Sequence, residues 1–281
     1  MTTERELRRR IGTARRVVVK IGSSAITSFH GGIRRAELDT LADVCQTRMT
    51  GGSDVFVVSS GAIGAGMAPL GMTTRPATLS AKQAAASVGQ LELARAWGDS
   101  FARYDRVVGQ VLLTAADIGR RDSAANAQRT LDRLRTLRAV PVINENDTVA
   151  TNEIRFGDND RLAAMVAELI GADALVLLSD IEALYTRPPS EPGARPIDTV
   201  AHDDDLSGFE FGATVVNSVG TGGAATKASA ARLAAASGIG VLVTSADLVD
   251  EALSGASIGT WFAPNPAVTP SSATAPLRTG V

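Results

Sequence analysis

Six short apolar runs, separated by longer stretches with helical character, constrain the fold of this chain most strongly. The runs are almost continuously apolar, as strands buried on both faces of a sheet are. They are residues 16–21, 55–59, 107–113, 140–144, 174–179 and 239–244. Helix candidates alternate with them at residues 34–49, 79–104, 123–137, 159–170 and 223–237. This alternation predicts an α/β fold, a three-layer sandwich with an open, mainly parallel sheet between helices.

Several helix ends carry recognisable signals. Ser80 is a candidate N-cap for the second helix, and Asp158 or Asn159 for the fourth. Gly171 follows the fourth helix, where a C-terminal glycine is typical. Residues 202–223 are acidic, then rich in Gly and Ser, and show little periodicity, so we expect a loop or a small excursion near a site.

Charge and composition exclude several classes of protein. Lys plus Arg number 28 and Asp plus Glu number 30, for a formal charge of −2. That balance disfavours both a nucleic-acid partner and a polybasic membrane anchor. The single cysteine, Cys45, leaves no internal disulfide or cysteine-rich zinc site, and His30 and His202 lack metal-ligand spacing. No apolar run reaches membrane-span length and no signal peptide precedes the first run, so we expect a cytoplasmic protein without membrane contact.

A chain of 281 residues could form one large domain or two smaller ones. Residues 1–15 carry an Arg run and are interpreted as an N-terminal lead with a solvated helical turn. Residues 16–262 hold all the alternating elements and are predicted to form one domain. Residues 263–281 are rich in Pro, Ser, Thr and Ala, which favours a disordered tail.

Glycine and polar residues follow the apolar runs, where each predicted strand ends. They occupy residues 20–24, 59–66, 144–147, 157–160, 179–180 and 220–227. The carboxyl ends of parallel strands meet at one edge of the sheet, which is the usual position of a site in such folds. Each segment alone has an ordinary structural explanation, such as a tight turn or a solvated lysine. Their joint occurrence at several strand ends indicates one functional site.

The composition of these segments favours phosphoryl transfer. Glycine lets backbone N–H groups approach a phosphate closely, and a helix N-terminus adds partial positive charge. Lys20 and Lys227 lie in two such loops. At ~4 Å and an effective dielectric constant near 20, each would contribute about 4 kcal/mol of Coulomb attraction to a phosphoryl group. Neighbouring carboxylates and amides suit an amino-bearing substrate and Mg²⁺.

A nicotinamide-dependent dehydrogenase is an alternative. The P-loop pattern is absent, because Thr226 rather than glycine precedes Lys227. Residues 220–225, however, match the loose G-x-G-x-x-[GA] dinucleotide fingerprint. Asp247 lies about 22 residues farther on, near the distance expected of a ribose-binding acid. This alternative predicts NAD binding.

Eight motifs resemble, in order and spacing, those of the glutamate 5-kinases, a branch of the amino acid kinase family. They are VVVKIGSSAIT, VVSSGAIGAG, KQAAASVGQ, QVLLT, VPVINENDTVAT, FGDNDRLAA, LVLLSDIEALYT and GTGGAATK. The resemblance extends from about residue 16 to residue 262. INENDTVAT together with FGDND distinguishes this branch from the acetylglutamate, aspartate, carbamate and UMP kinases. The family fold is an open, mainly parallel sheet between helices, in agreement with the alternation described above.

The resemblance implies ATP-dependent phosphorylation of the γ-carboxylate of L-glutamate to L-glutamyl 5-phosphate, the first step of proline biosynthesis. It implies ATP with Mg²⁺, a homo-oligomer, proline as a feedback inhibitor and glutamyl phosphate reductase as a partner. Many members carry an additional C-terminal PUA domain, which we expect this protein to lack. An alternative on the same fold is a non-catalytic amino-acid-sensing module, which would bind glutamate or proline without turnover.

The resemblance also implies roles for individual residues, with no separate protein metal site. Lys20, Asp160 and Lys227 would be catalytic, with the acid holding the two lysines in place. Glutamate would be bound by Ser60, Gly61, Asn144, Asp147 and Asn159. ATP would be bound by Lys20, Ser179, Asp180, Thr221, Gly222, Gly223, Ala224, Ala225, Thr226 and Lys227.

Overall fold

One eight-stranded sheet organises the part of the chain that the computed structural model describes, residues 4–28, 32–149, 159–210 and 223–270. The strands are β1 (Arg16–Ile21), β2 (Thr27–Ser28), β3 (Gly32–Ile33), β4 (Asp54–Ser59), β5 (Val108–Leu113), β6 (Val140–Glu145), β7 (Ala174–Ser179), β8 (Thr199–Val200), β9 (Gly240–Ser245) and β10 (Thr260–Phe262). The helices are α1 (Glu4–Thr13), α2 (Ser23–Ile26), α3 (Arg35–Thr50), α4 (Ala62–Met67), α5 (Leu79–Ala102), α6 (Ala115–Gly119), α7 (Arg121–Thr136), α8 (Asn159–Ile170), α9 (Ala224–Ala236) and α10 (Val249–Ser254).

The strand order in the sheet is β5-β6-β4-β1-β7-β9-β10-β8. The first six of these strands are mutually parallel, and β10 pairs antiparallel with β9. Strands β2 and β3 form a separate antiparallel hairpin. All six apolar runs are strands of the large sheet, so the prediction of an open, mainly parallel sheet is confirmed.

Helices cover both faces of the sheet, which gives two apolar cores. Along β1, Val17, Val19 and Ile21 face the core formed with α3 and α5. Val18 faces the other core, which contains apolar residues of α8 and α9. Because side chains alternate along a strand, Lys20 points to the same face as Val18. The first lysine is therefore directed toward the two helices that carry Asp160 and Lys227.

The predicted helix ends are partly correct. Helix α5 begins at Leu79, and the hydroxyl of Thr78 accepts a hydrogen bond from the backbone N–H of Ala81 at 3.3 Å. Ser80 was therefore the wrong N-cap residue, because it already lies inside the first turn. Gly171 follows α8 with a φ of 59°, the left-handed conformation expected of a helix C-terminus. Asp158 lies outside the described residues.

The two ends of the described chain pack onto the sheet domain. Helix α1 is ten residues long, and Ile11 on it is only 1 % exposed. Arg8 is also buried and donates a 2.7 Å hydrogen bond to the carbonyl oxygen of Asp198. This helix is longer and better packed than the solvated turn expected from its arginines, because Ile11 is part of the apolar core beside α3 and α5. Within the predicted tail, the N–H of Asn265 donates to the carbonyl oxygen of Ala235 at 2.8 Å, whereas residues 271–281 lie outside the described residues.

Within the described ranges, no helix combines enough length with enough apolar character to cross a membrane.

Candidate active site

The described residues with predicted site roles gather at the carboxyl edge of the sheet. Strands β6, β4, β1 and β7 are consecutive neighbours, and the polar segments follow their last residues. Ser60, Asn144, Asn159, Asp160 and Lys227 are all buried there, although each carries a polar or charged side chain. Polar groups removed from water are stable only when they have partners. Their mutual contacts therefore define the chemistry of this edge.

Asp160 forms ion pairs with both lysines. One carboxylate oxygen lies 2.5 Å from Nζ of Lys20, and the other lies 3.3 Å from Nζ of Lys227. The three side chains are only 3–7 % exposed. The residues come from β1, α8 and α9, so one carboxylate fixes the distance between two ammonium groups on different elements. Two lysines and one aspartate leave a net charge of +1 in this buried cluster.

The ionisation of Asp160 follows from its surroundings. Burial by itself raises the pKa of this carboxyl group. The charges of Lys20 and Lys227, and the hydrogen bonds that they donate, outweigh burial and hold the pKa below its ordinary value. Asp160 is therefore a carboxylate at neutral pH. It acts as the counter-ion of the lysines rather than as a proton donor.

Three neutral polar side chains form a second cluster beside the ion pairs. The amide nitrogen of Asn159 donates hydrogen bonds of 3.0 Å to the hydroxyl of Ser60 and to the amide oxygen of Asn144. The amide nitrogen of Asn144 and the amide oxygen of Asn159 are buried and find no partner among the described residues. A free donor and a free acceptor therefore remain next to the charged cluster. Both could be satisfied by a polar substrate.

A tight turn after β4 brings Ser60 into this cluster. Gly61 has a φ of 100°, a left-handed conformation that favours glycine, and it is the N-cap residue of α4. A Cβ at this position would lie 3.0 Å from the Cγ2 atom of Thr27, so there is little room for a side chain. Behind the turn, the indole nitrogen of Trp97 donates a 3.1 Å hydrogen bond to the hydroxyl of Ser59.

Asp147 is buried at the carboxyl end of β6 but is not part of either cluster. It lies in a turn closed by a 3.1 Å hydrogen bond from the N–H of Val149 to the carbonyl oxygen of Asn146. Burial raises the pKa of Asp147 to about 6. A buried carboxyl group of this kind is stabilised as an anion when a cation binds beside it. This property suits a residue that receives an ammonium group.

The residues predicted to bind nucleotide are partly described. The hydroxyl of Ser179 accepts a 3.3 Å hydrogen bond from the N–H of Ile181, so it shapes the turn after β7, and Asp180 is exposed beside it. Gly223 precedes α9 in an extended conformation, and the hydroxyl of Thr226 donates to its carbonyl oxygen at 2.9 Å. Ala224 and Ala225 begin α9 and are followed by Thr226 and Lys227, whereas Thr221 and Gly222 lie outside the described residues.

Sequence reasoning missed the contribution of α5. Gln90 is buried, and its amide nitrogen donates a 3.2 Å hydrogen bond to the carbonyl oxygen of Glu145, the last residue of β6. Gln83 donates likewise to the carbonyl oxygen of Thr148 at 3.2 Å. The motif KQAAASVGQ contains both glutamines seven positions apart, a spacing that places them on one helix face. That spacing was the available signal for their shared role.

Proteins hold metal ions mainly with acidic, histidine and cysteine side chains. Within residues 4–28, 32–149, 159–210 and 223–270, no group of three or more such side chains lies close enough together to hold an ion. Both oxygens of Asp160 already face lysines.

Sequence comparisons identify close relatives. The profile of the amino acid kinase family matches residues 15–245. Glutamate 5-kinase of Corynebacterium diphtheriae is 59 % identical over 92 % of this chain and 68 % of that protein. Glutamate 5-kinase of Nocardia farcinica is 61 % identical over 92 % of this chain and 70 % of that protein.

Solved structures agree on the fold. Carbamate kinase from Giardia lamblia bound to AMP-PNP has a TM-score of 0.64 at 14 % identity, covering 90 % of this chain and 100 % of that one. UMP kinase from Bacillus anthracis has a TM-score of 0.58 at 13 % identity, covering 90 % and 97 %. At these low identities the two solved structures support the architecture alone. The glutamate 5-kinases of Corynebacterium diphtheriae and Nocardia farcinica identify the branch. The chain belongs to the amino acid kinase family and, within it, to the glutamate 5-kinases.

Proposed function

We propose that this protein transfers the γ-phosphoryl group of ATP to the γ-carboxylate of L-glutamate, giving L-glutamyl 5-phosphate, the first step of proline biosynthesis. The observation that carries the proposal is the buried Asp160 carboxylate between Lys20 and Lys227. It lies beside a neutral cluster with a free amide donor and a free amide acceptor. Membership of the glutamate 5-kinases supports the same reaction and argues against a dehydrogenase.

The two lysines stabilise charge on the phosphoryl group as it passes between oxygens. A loose transition state spreads negative charge over the equatorial oxygens, and fixed cations in a water-poor site stabilise that charge strongly. Asp160 holds both ammonium groups in place before the reaction, so little reorganisation is needed when charge develops. A module that only senses an amino acid has no need of this buried pair of cations.

The amide and hydroxyl groups orient the amino acid. We assign the substrate carboxylates to the region of Ser60, Gly61 and Asn144, where donors are available, and the ammonium group to Asp147. Asn159 fixes Ser60 and Asn144 relative to each other. The attacking γ-carboxylate is already ionised at neutral pH, so the reaction needs no general base. Catalysis then depends on positioning and electrostatics.

We propose that the nucleotide enters as MgATP, with the ion bound mainly to phosphate oxygens, and that residues 221–227 and Ser179–Asp180 line its site. Four further expectations stay predictions: a homo-oligomer, feedback inhibition by proline, a partnership with glutamyl phosphate reductase and a cytoplasmic location. The reductase is a plausible partner in chemical terms, because an acyl phosphate hydrolyses readily in water.

The apparent affinity for glutamate should depend on the ionisation of Asp147. The pKa of this carboxyl group is raised to about 6 by burial, so protonation removes the charge that would attract the substrate ammonium. We expect kcat/KM for glutamate to fall as the pH drops below about 6, since this parameter reports groups of the free enzyme. Rates measured from about pH 5 to about pH 8 would show this acid limb.

The control for this prediction is Asp147→Asn. It should lower kcat/KM for glutamate by at least about tenfold at neutral pH and abolish the acid limb. The pKa of Asp147 in the wild type is raised from its ordinary value of 3.8 to about 6, so the folded protein binds this proton more tightly than the unfolded chain does. Folding stability must therefore fall as the pH rises through that window, and the variant should be no less stable than wild type at neutral pH. An acid limb that persists in the variant would assign it to another group.

The reaction itself is tested by trapping the product. Purified protein with MgATP and L-glutamate should form ADP, and hydroxylamine should convert the acyl phosphate to a hydroxamate. A panel of D-glutamate, L-aspartate, N-acetylglutamate and carbamate serves as the control for specificity. Hydroxamate formed from another acid but not from L-glutamate would refute the substrate assignment, and binding without turnover would favour a sensing module.

A further inference from the structure

One face of α5 contacts the turn that carries Asp147. Gln83 donates its amide N–H to the carbonyl oxygen of Thr148 at 3.2 Å. The hydroxyls of Ser87 and Thr148 lie 3.1 Å apart. These two α5 residues are four positions apart and project from the same side of the helix. Two side chains of one helix thus hold the residue next to Asp147, through both its backbone and its side chain.

The third contact on this face lies one helix turn farther along. Gln90 donates to the carbonyl oxygen of Glu145 at 3.2 Å, on the other side of Asp147 in the sequence. From the strand side, the N–H of Asn146 donates to the carbonyl oxygen of Leu113 at 3.0 Å. The turn is therefore attached on two sides, to the end of β5 and to α5. Asp147 lies between these attachments.

The same helix also supports the opposite half of the amino-acid site. Helices α4 and α5 touch backbone to backbone, because a Cβ at Gly89 would overlap the carbonyl oxygen of Ala62 and a Cβ at Gly66 would overlap that of Ala85. Ala62 directly follows the Ser60–Gly61 turn. Through α4 on one side and the 146–149 turn on the other, α5 fixes the distance between the hydroxyl of Ser60 and the carboxylate of Asp147.

We propose that Gln83 and Ser87 are positioning residues for the amino-acid substrate. They hold the Thr148 side of the turn so that Asp147 meets the ammonium group of the substrate while the substrate's carboxylates reach the Ser60 side. The inference rests on the proposed glutamate kinase activity. A ligand that spans two groups is bound well only when their separation matches its own length. Loss of the α5 contacts therefore weakens glutamate binding and leaves the ATP side, built on α8 and α9, unchanged.

The exposure of these contacts separates positioning from simple stabilisation. Ser87 and Thr148 are exposed, and Gln83 is half-buried. Exposed hydrogen bonds between uncharged groups contribute only modestly to folding, because water competes for the same donors and acceptors. We therefore expect a change in the kinetics with glutamate and almost none in the melting temperature.

The experiment measures KM for glutamate, KM for ATP, kcat and the melting temperature in the Gln83→Ala/Ser87→Ala variant. The expected result is a rise of about tenfold in KM for glutamate, with KM for ATP, kcat and the melting temperature within about twofold or a few degrees of wild type. Gln83→Glu keeps the size of the side chain but removes the donor, so it should resemble Gln83→Ala. Ser87→Thr keeps the hydroxyl and should restore the wild-type KM at that position.

Two further comparisons make the result decisive. Ser87→Ala and Thr148→Ala remove the two sides of one contact, so the double variant should raise KM no more than either single variant. Arg95→Ala changes an exposed residue of the same helix about two turns beyond Ser87 and should leave all four values unchanged. An unchanged KM for glutamate in the Gln83→Ala/Ser87→Ala variant, or equal losses for both substrates, overturns the proposal. If wild-type protein does not turn over glutamate, the proposed function fails instead.

Discussion

Replacing Lys227 with alanine should lower kcat by about a hundredfold to a thousandfold, the effect typical of losing one preorganised charge from a transition state. The variant loses the cation that lies 3.3 Å from the carboxylate of Asp160, while the contact of Asp160 with Lys20 at 2.5 Å remains. KM for glutamate should change much less than kcat, because we assign Lys227 to the phosphoryl group and the amino acid to the region of Ser60 and Asp147. Hydroxamate formation at saturating substrates measures this difference.

Loss of one partner from a buried ion cluster can also destabilise a protein, so folding must be measured in parallel. Thermal unfolding and circular dichroism of Lys227→Ala provide that control, and Lys227→Arg keeps the positive charge if the alanine variant does not fold. An arginine is larger and presents its N–H donors in a planar fork, so Lys227→Arg should preserve the melting temperature better than kcat. A folded Lys227→Ala variant with activity within about tenfold of wild type would remove Lys227 from the mechanism.

Replacing Gly89 with alanine should destabilise the protein by about 3 kcal/mol, the upper end of the usual cost of overpacking. The added methyl group would overlap the carbonyl oxygen of Ala62, which is backbone and has no rotamer to adopt. Relief requires α4 and α5 to separate, and overpacking of this kind typically costs about 1–3 kcal/mol or more. Denaturant unfolding measures the loss in the free energy of unfolding.

Gly98 provides the matched control, because it lies on the same helix and a Cβ there meets nothing within 4 Å. Gly98→Ala should increase stability by about 0.5–1 kcal/mol, since alanine loses less backbone entropy than glycine in a helix. The folded fraction of Gly89→Ala should have a raised KM for glutamate. Displacement of α4 would also move the Ser60–Gly61 turn, because α4 begins directly after it. Similar stabilities for the two variants would show that α4 and α5 separate at little cost.

The motifs predict that Lys20, Asp160 and Lys227 lie at one edge of the sheet, but they do not show how these residues are arranged. Lys20 precedes one glycine-bearing loop and Lys227 follows another, which indicates a phosphate-binding role for both lysines. The role of Asp160 comes from the family resemblance. That one carboxylate contacts both lysines depends on the strand order β4-β1-β7 and on α8 and α9 covering the same face. The strand order depends on how the whole chain folds, so no single motif predicts it.

Features governed by the distance between helices were missed for a related reason. The glycines at 66 and 89 looked like ordinary members of Gly- and Ala-rich segments, whereas their importance comes from the close approach of α4 to α5. The N-cap of α5 shows the limit of local signals: Thr78 and Ser80 are both acceptable cap residues, and only the observed start at Leu79 selects Thr78. Gly171 was predictable because a left-handed helix end has a local cause.

The cluster of Lys20, Asp160 and Lys227 also has a consequence for how the protein matures. Its members are separated by 140 and 67 positions along the chain and lie on three different elements. The reactive centre therefore cannot exist in any fragment of this domain that has yet to complete α9. During synthesis or refolding, the proposed phosphoryl-transfer activity should therefore appear only once β1, α8 and α9 have packed together. Recovery of turnover would then report the long-range packing of these three elements.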